Sequence, residues 1–98
     1  MISIHAKDFS IHENDHDLIE KKAERLLHLA RDLSDESTKI RIEFELEARD
    51  KSLISGSMTI ALPHDTLRAE ANAQKNPVAV MDAMIEKIKS QIEKHKNK

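Results

Sequence analysis

Residues Thr38 to Ala48 (TKIRIEFELEA) alternate strictly between apolar and charged side chains. Ile40, Ile42, Phe44 and Leu46 fall on one side, and Arg41, Glu43, Glu45 and Glu47 on the other. A period of two with one apolar face specifies a half-buried strand. Such a strand needs a packed layer on one side only, so the rest of the chain must supply sister strands and a covering layer. Three further stretches show the same alternation. Met1 to Lys7 places Ile2, Ile4 and Ala6 on one face. Leu53 to Leu62 brings Met58, Ile60 and Leu62 into register around Gly56, the only glycine of the chain, which suggests a bulge or a turn edge. Thr66 to Ala73 points Leu67, Ala69, Ala71 and Ala73 inward, and the small alanines invite close approach of a neighbour.

The covering layer comes from two stretches of helical period. From about Glu13 to Leu33, the residues Ile19, Ala23, Leu26, Ala30 and Leu33 form a stripe. Asn14 or Asp15 is the expected cap, and the early acids Glu13, Asp15 and Asp17 suit the positive end of the helix dipole. From Asn76 to Lys98 the stripe is Met81, Met84, Ile85, Ile88 and Ile92, with Asn76 as N-cap and Pro77 at the first helical position. Polar breaks at Ser34 to Ser37, Arg49 to Lys51 and Pro63 to Asp65 separate the elements. The order is strand, helix, strand, strand, strand, helix. The expectation is an α+β fold: a four-stranded mixed sheet with both helices on one face, strands one and two parallel if adjacent, and hairpin-like connections after that.

Charge is sorted on both helices. On the last, Asp82, Glu86 and Glu93 flank one side of the stripe, and Lys87, Lys94 and Lys98 the other, with Gln91 between them. Lys89 and Lys96 sit near the acidic flank. On the first, Glu20 and Glu24 flank one side, and Lys21, Lys22, Arg25 and His28 the other. A solvated face accounts for such runs, and so does a basic line that follows a phosphate backbone. The acidic outer face of Thr38 to Ala48 would repel phosphate, so nucleic acid should avoid the sheet.

Composition narrows the function. The chain has 98 residues, a net charge of −2 and no cysteine, which fits one domain without disulfides or thiolate metal sites. The charge balance argues against indiscriminate nucleic-acid binding but leaves room for a local basic surface. No apolar run reaches membrane-spanning length, and Lys7 and Asp8 interrupt any signal-peptide core, so a cytoplasmic protein is expected. One glycine cannot form a phosphate loop, and no nucleophile elbow is present. His12 and His16 have a four-residue spacing that suits a metal on one helix face, but no third ligand is evident. No enzyme, no metal and no cofactor are expected.

Local patterns along nearly the whole chain resemble the short ribosome hibernation-promoting factors and the ribosome-associated translation inhibitor, a family also known as sigma-54 modulation proteins. Ile4 to Ile11 (IHAKDFSI) is similar to the family's first strand and turn, and Lys22 and Arg25 fall where its first helix is basic. Leu67 to Asp82 resembles its last strand and the acidic–aromatic–alanine–alanine opening of its final helix. Met84 to Lys98 is the nearest piece, with Lys87, Gln91, Ile92, Lys94, His95, Lys96 and Lys98 in family-like places. The resemblance implies a fold like that of double-stranded-RNA-binding domains, and one ribosome-binding domain over residues 1–98. It implies binding to the small ribosomal subunit and its rRNA, in the channel for mRNA and tRNA, with inhibition of translation in stationary phase or stress. It implies no DNA or membrane partner and a monomer when free. Carried over by position, the rRNA contacts are Lys22, Arg25, Lys87 and Lys94, followed by Lys7, Lys21, His28 and Lys98. Ser90 replaces a family arginine, and Asn76 and Val78 replace the family's aspartate and tyrosine, which removes any contact made by that ring or hydroxyl. The competing expectation is a protein-interaction module on the same fold that uses Glu43, Glu45 and Glu47 as its contact surface and does not bind ribosomes.

Overall fold

The computed structural model describes residues 1–31, 38–63 and 65–96, and their side chains except at positions 30, 31, 95 and 96. Ser34 to Ser37, Leu33, His64 and Lys98 lie outside the described residues. The elements follow in the order β1 (Ile2–Lys7), α1 (Glu13–Arg31), β2 (Lys39–Leu46), β3 (Ile54–Leu62), β4 (Asp65–Gln74) and α2 (Pro77–Lys96). The sheet order is β1-β2-β3-β4, with β1 parallel to β2 and the later pairs antiparallel. This is the expected α+β arrangement. One face of the sheet is closed by the helices, α1 over β1 and β2 and α2 over β3 and β4. The other face is open to solvent.

The core is aliphatic around one ring. Ile40, Ile42, Phe44, Met58 and Ile60 from the sheet meet Ile19, Ala23, Leu26 and Leu27 of α1 and Val80, Met81, Met84, Ile88 and Ile92 of α2. Leu27 and Val80 join the expected stripes, while Ile85 is only partly buried. Gly56 faces this core, and its place is dictated by space. A Cβ there would stand 2.7 Å from Val80 Cγ1, 2.9 Å from the Glu43 carbonyl oxygen and 3.2 Å from Phe44 Cδ1. The first turn of α2 therefore rests on a position that only hydrogen can occupy.

The bulge lies across from Gly56, on β4. Ile54 pairs with Gln74 and Gly56 with Ala71, so two steps along β3 match three along β4. The extra residue turns Ala73 out of the inward series: it is exposed, with φ of 57°. That corrects the alternation expected through Ala73, because a bulge adds a residue without adding a pair. The left-handed conformation costs alanine about 1–2 kcal/mol, and the Glu47 carboxylate offsets part of it by accepting the Ala73 N–H at 3.0 Å. Asp8, also left-handed at φ of 63°, ends β1.

The helix starts divide. Asn76 caps α2 as expected, its Oδ1 accepting the Ala79 N–H at 2.8 Å. At α1 the cap is His12 rather than Asn14 or Asp15. Its Nδ1 accepts the Asn14 N–H at 3.3 Å, and its carbonyl accepts the His16 N–H at 2.9 Å. The helix begins one residue before the first residue expected to cap it, so Asn14 and Asp15 are already inside the first turn. In the β2–β3 connection, Asp50 accepts from the Ser52 hydroxyl and from the Ser52 N–H.

Two outcomes follow from this packing. Gly56→Ala forces Val80 or the β2 backbone to shift, and the expected loss is about 1–3 kcal/mol in urea unfolding, as for other overpacked sites. The Asp50 carboxyl is held below its ordinary 3.8, first by the Ser52 hydroxyl and then by the Ser52 N–H. Its small stabilisation is fully present above that ordinary value and is lost as pH falls through the lowered one. An NMR titration should show the Asp50 pKa rising towards 3.8 in Ser52→Ala.

Candidate nucleic-acid interface

The seating of α2 decides where its charges lie. With Met84 and Ile88 against the sheet, the helical period sends Lys87, Gln91 and Lys94 to the β4 side and Asp82, Ile85, Glu86 and Lys89 to the α1 side. Each flank meets a different surface.

On the β4 side, α2 closes a sheet edge. β4 is the last strand, so every second backbone group points away from the sheet and requires a partner. Gln91 supplies both bonds of one residue: its Nε2 donates to the Arg68 carbonyl at 2.7 Å, and its Oε1 accepts the Arg68 N–H at 3.3 Å. The Lys87 ammonium donates to the Glu70 carbonyl. Lys94, one turn beyond Gln91, is exposed and has no hydrogen-bond or ion-pair partner among the described residues. Lys87 is also exposed, yet it is part of the edge closure.

On the α1 side, the two helices form a groove with a floor of Leu26, Leu29 and Ile85 and a rim of Lys22, Arg25, Lys89, Asp82 and Glu86. Lys22 Nζ lies 2.8 Å from Asp82 Oδ1, and with its side chain 26% exposed it is half-buried, whereas Lys7, Lys21, Arg25, His28, Lys87 and Lys94 are exposed. This ion pair ties the helices together across the groove. Arg25 and Lys89 on the same rim are exposed and have no such partner among the described residues. Lys89 is the functional candidate that sequence reasoning placed with the acids. It does stand beside Glu86, but the helix pairing also brings it to the groove that holds Arg25, and nothing local in the sequence reports that juxtaposition.

The remaining candidates are dispersed. Lys21 is exposed among Asp17, Glu20 and Glu24, and His28 is exposed on α1. Lys7 belongs to the open sheet face, beside Glu45 in the β1–β2 register. The eight positions therefore do not form a single patch. Arg25 and Lys22 share the groove, Lys87 and Lys94 share the edge flank, and Lys98 is outside the described residues.

The acidic strand face is less acidic than β2 alone suggests. Arg41 Nε lies 3.1 Å from Glu43, Glu47 serves the Ala73 amide, and Glu45 is flanked by Lys7. Arg68 of β4 adds a second arginine, 3.0 Å from Glu70. Of the histidines, His12 is occupied as a helix cap. His16, Asp17 and Glu20 each place one potential ligand atom within 4.8 Å of the others, all on the surface of the first turns of α1. No helix among the described residues is long and apolar enough to cross a membrane.

The Gln91 latch has a direct readout. In Gln91→Ala the Arg68 N–H is freed to solvent, and its amide hydrogen exchange should accelerate selectively, with a stability cost of about 0.5–1.5 kcal/mol. Unchanged exchange at Arg68 would show that the edge is closed by something else.

The comparisons with known proteins bear on the whole chain. A ribosomal subunit interface protein from Coxiella burnetii has a similar structure, with a TM-score of 0.76 at 22% identity, covering 99% of this chain and 98% of that one. The N-terminal domain of Thermus thermophilus Protein Y is similar at a TM-score of 0.71 and 18% identity, covering 94% and 93% of the two chains. At these identities the likeness shows the fold alone. No curated protein matches the sequence. The family model described as Sigma 54 modulation protein / S30EA ribosomal protein matches residues 2–98, and the chain belongs to that family.

Proposed function

We propose that this protein associates with the ribosome in the cytoplasm and acts by binding rather than by catalysis. Its target is the small subunit, at the rRNA of the mRNA and tRNA channel. Occupying that channel inhibits translation and promotes ribosome hibernation in stationary phase or stress. The observation that carries this reading is the match of residues 2–98 to a family described by a ribosomal protein, supported by the subunit interface protein of the same fold.

The geometry supports a particular way of binding. Arg25 and Lys89 on the groove and Lys94 on the edge flank are cations without internal partners among the described residues, so phosphate meets no competing carboxylate bond there. Lys22 and Lys87 would have to leave Asp82 and the Glu70 carbonyl, or share them, to reach a phosphate. The chain has no tyrosine or tryptophan, and Phe44 is buried in the core. Phosphate contacts and shape position such a protein on folded RNA. The competing reading, a module that uses Glu43, Glu45 and Glu47 and does not bind ribosomes, leaves the family match over residues 2–98 unexplained.

Sucrose-gradient sedimentation with purified small subunits tests this. Co-migration at low salt should be lost as salt rises. Arg25→Glu with Lys94→Glu should abolish co-migration while circular dichroism and melting stay native, since neither residue makes an internal bond among the described residues. The milder pair Arg25→Gln and Lys94→Gln should reduce the slope of log K against log salt by about 1.5 if both meet phosphate. Wild-type co-migration of the double Glu variant would refute the site, and no co-migration of the native protein at low salt would refute the function.

A further inference from the structure

The open face of the sheet has an order that neither its strands singly nor the ribosome reading explains. The registers place its outward residues in rows across the sheet. One row is Ser3, Arg41, Thr59 and Arg68, and the next is His5, Glu43, Ser57 and Glu70. Beyond the first row stands Lys39, and beyond the second stands Glu45. Cations of β2 and β4 thus occupy one half of the face and anions of the same strands the other. The helices separate their charges around an axis, whereas the sheet separates them along its strands.

We propose that this face binds a second copy of the chain in a two-fold arrangement. Let the axis lie in the interface and run across the strands, midway between the two central rows. It then exchanges those rows. Arg41 meets Glu43 of the second copy, Arg68 meets its Glu70, and Lys39 meets its Glu45. By symmetry each contact occurs twice. Arg41 and Arg68 keep their own neighbours Glu43 and Glu70, at 3.1 and 3.0 Å, so each charge acquires opposite charges both beside it and above it. β3, under the middle of the contact, presents only the small residues Ser55, Ser57, Thr59 and Ala61 between these charges, which lets the sheets approach. Strand directions stay aligned, as in stacked sheets.

The size of the face sets the strength. Four strands about 4.8 Å apart and about seven residues of about 3.3 Å rise cover on the order of 450 Å² per copy. Two copies bury about 900 Å², just under the roughly 1,000 Å² of a stable specific interface. The dimer is therefore weak, concentration-dependent and sensitive to salt, since the pairs are partly solvated. The helical layers point away from each other, so Arg25, Lys89 and Lys94 of both copies stay exposed. The dimer stands independently of what those cations bind.

Sedimentation equilibrium on the full chain tests the arrangement at low and raised salt. The native protein should dimerise as its concentration rises, and at least about tenfold more weakly at raised salt. Lys39→Glu, Arg41→Glu and Arg68→Glu together leave only acidic charges at the outward positions of β2 and β4. Glu43→Lys, Glu45→Lys and Glu70→Lys together leave only basic ones there. Each triple variant alone should be monomeric, and an equimolar mixture should sediment as a heterodimer at low salt. As a check that needs no variant, dilution of the native protein should shift NMR amide signals of the outward residues of β2, β3 and β4 and leave those of α1 and α2 unmoved. A native protein that stays monomeric at every concentration leaves this face to some other partner or to solvent and overturns the proposal. So do dimers that persist in both triple variants, or dilution shifts that map to the helices.

Discussion

The seating of α2 on β3 and β4 is the contact on which the other features depend. Its stripe of Val80, Met81, Met84, Ile88 and Ile92 is wholly buried. At about 1.5–3 kcal/mol for each large aliphatic side chain removed from water, this one helix contributes a major share of the apolar stabilisation. The sheet meets it with small residues, Gly56, Ala69 and Ala71, so large side chains on the helix fill space that the strands leave empty. A core with Phe44 as its one buried ring has few large groups to rearrange around an error, and so the fit at Gly56 is strict. Val80 Cγ1 already occupies the space a methyl would take.

That seating also fixes the rotation of the helix and hence the destination of each charged flank. Once Met84 and Ile88 are in the core, Gln91 and Lys87 reach the outward backbone groups of β4, and Asp82 reaches Lys22. The edge closure, the helix–helix ion pair and the free cations of the groove are three consequences of one angular setting. It follows that a change in the stripe does not act on stability alone. A shifted α2 would open the β4 edge, break the Lys22–Asp82 pair and separate Lys89 from Arg25 together.

Much of this was readable in the residues, and what was not has a common cause. Period-two and helical stretches located all six elements, because each has one apolar side and the amphipathic signal is local. Asn76 and Pro77 marked the start of α2 for the same reason. Ala73 was misplaced because alternation continues in sequence through a bulge that exists only in the pairing of β4 with β3. His12 is not legible as a cap because a ring nitrogen is an uncommon acceptor at that position, though its spacing to Asn14 is that of any cap. Each helix by itself reports only its own cations. That Lys22 pairs with Asp82, that Lys87 closes an edge and that Lys89 joins Arg25 are facts of helix packing, which no single-helix pattern contains. The acidity of β2 is legible in its own residues, whereas Lys7 and Arg68 join that face from β1 and β4, which only the strand order brings there.

The two layers divide the protein's charge in different ways, and the division follows from geometry. On a helix, residues of one sign can be collected on a flank because three or four residues return to the same side. On a strand the outward residues follow one another in line, so sorting by sign can only run along the strand, as from Lys39 and Arg41 to Glu43 and Glu45. A flank of one sign suits a long polymer of the opposite sign, such as a phosphate backbone. A line that changes sign halfway suits a partner with the reverse order, and a copy of itself turned by a two-fold axis has that order by construction. A chain with a net charge of −2 can therefore carry both a polyanion-binding layer and a self-complementary one, because neither depends on the total.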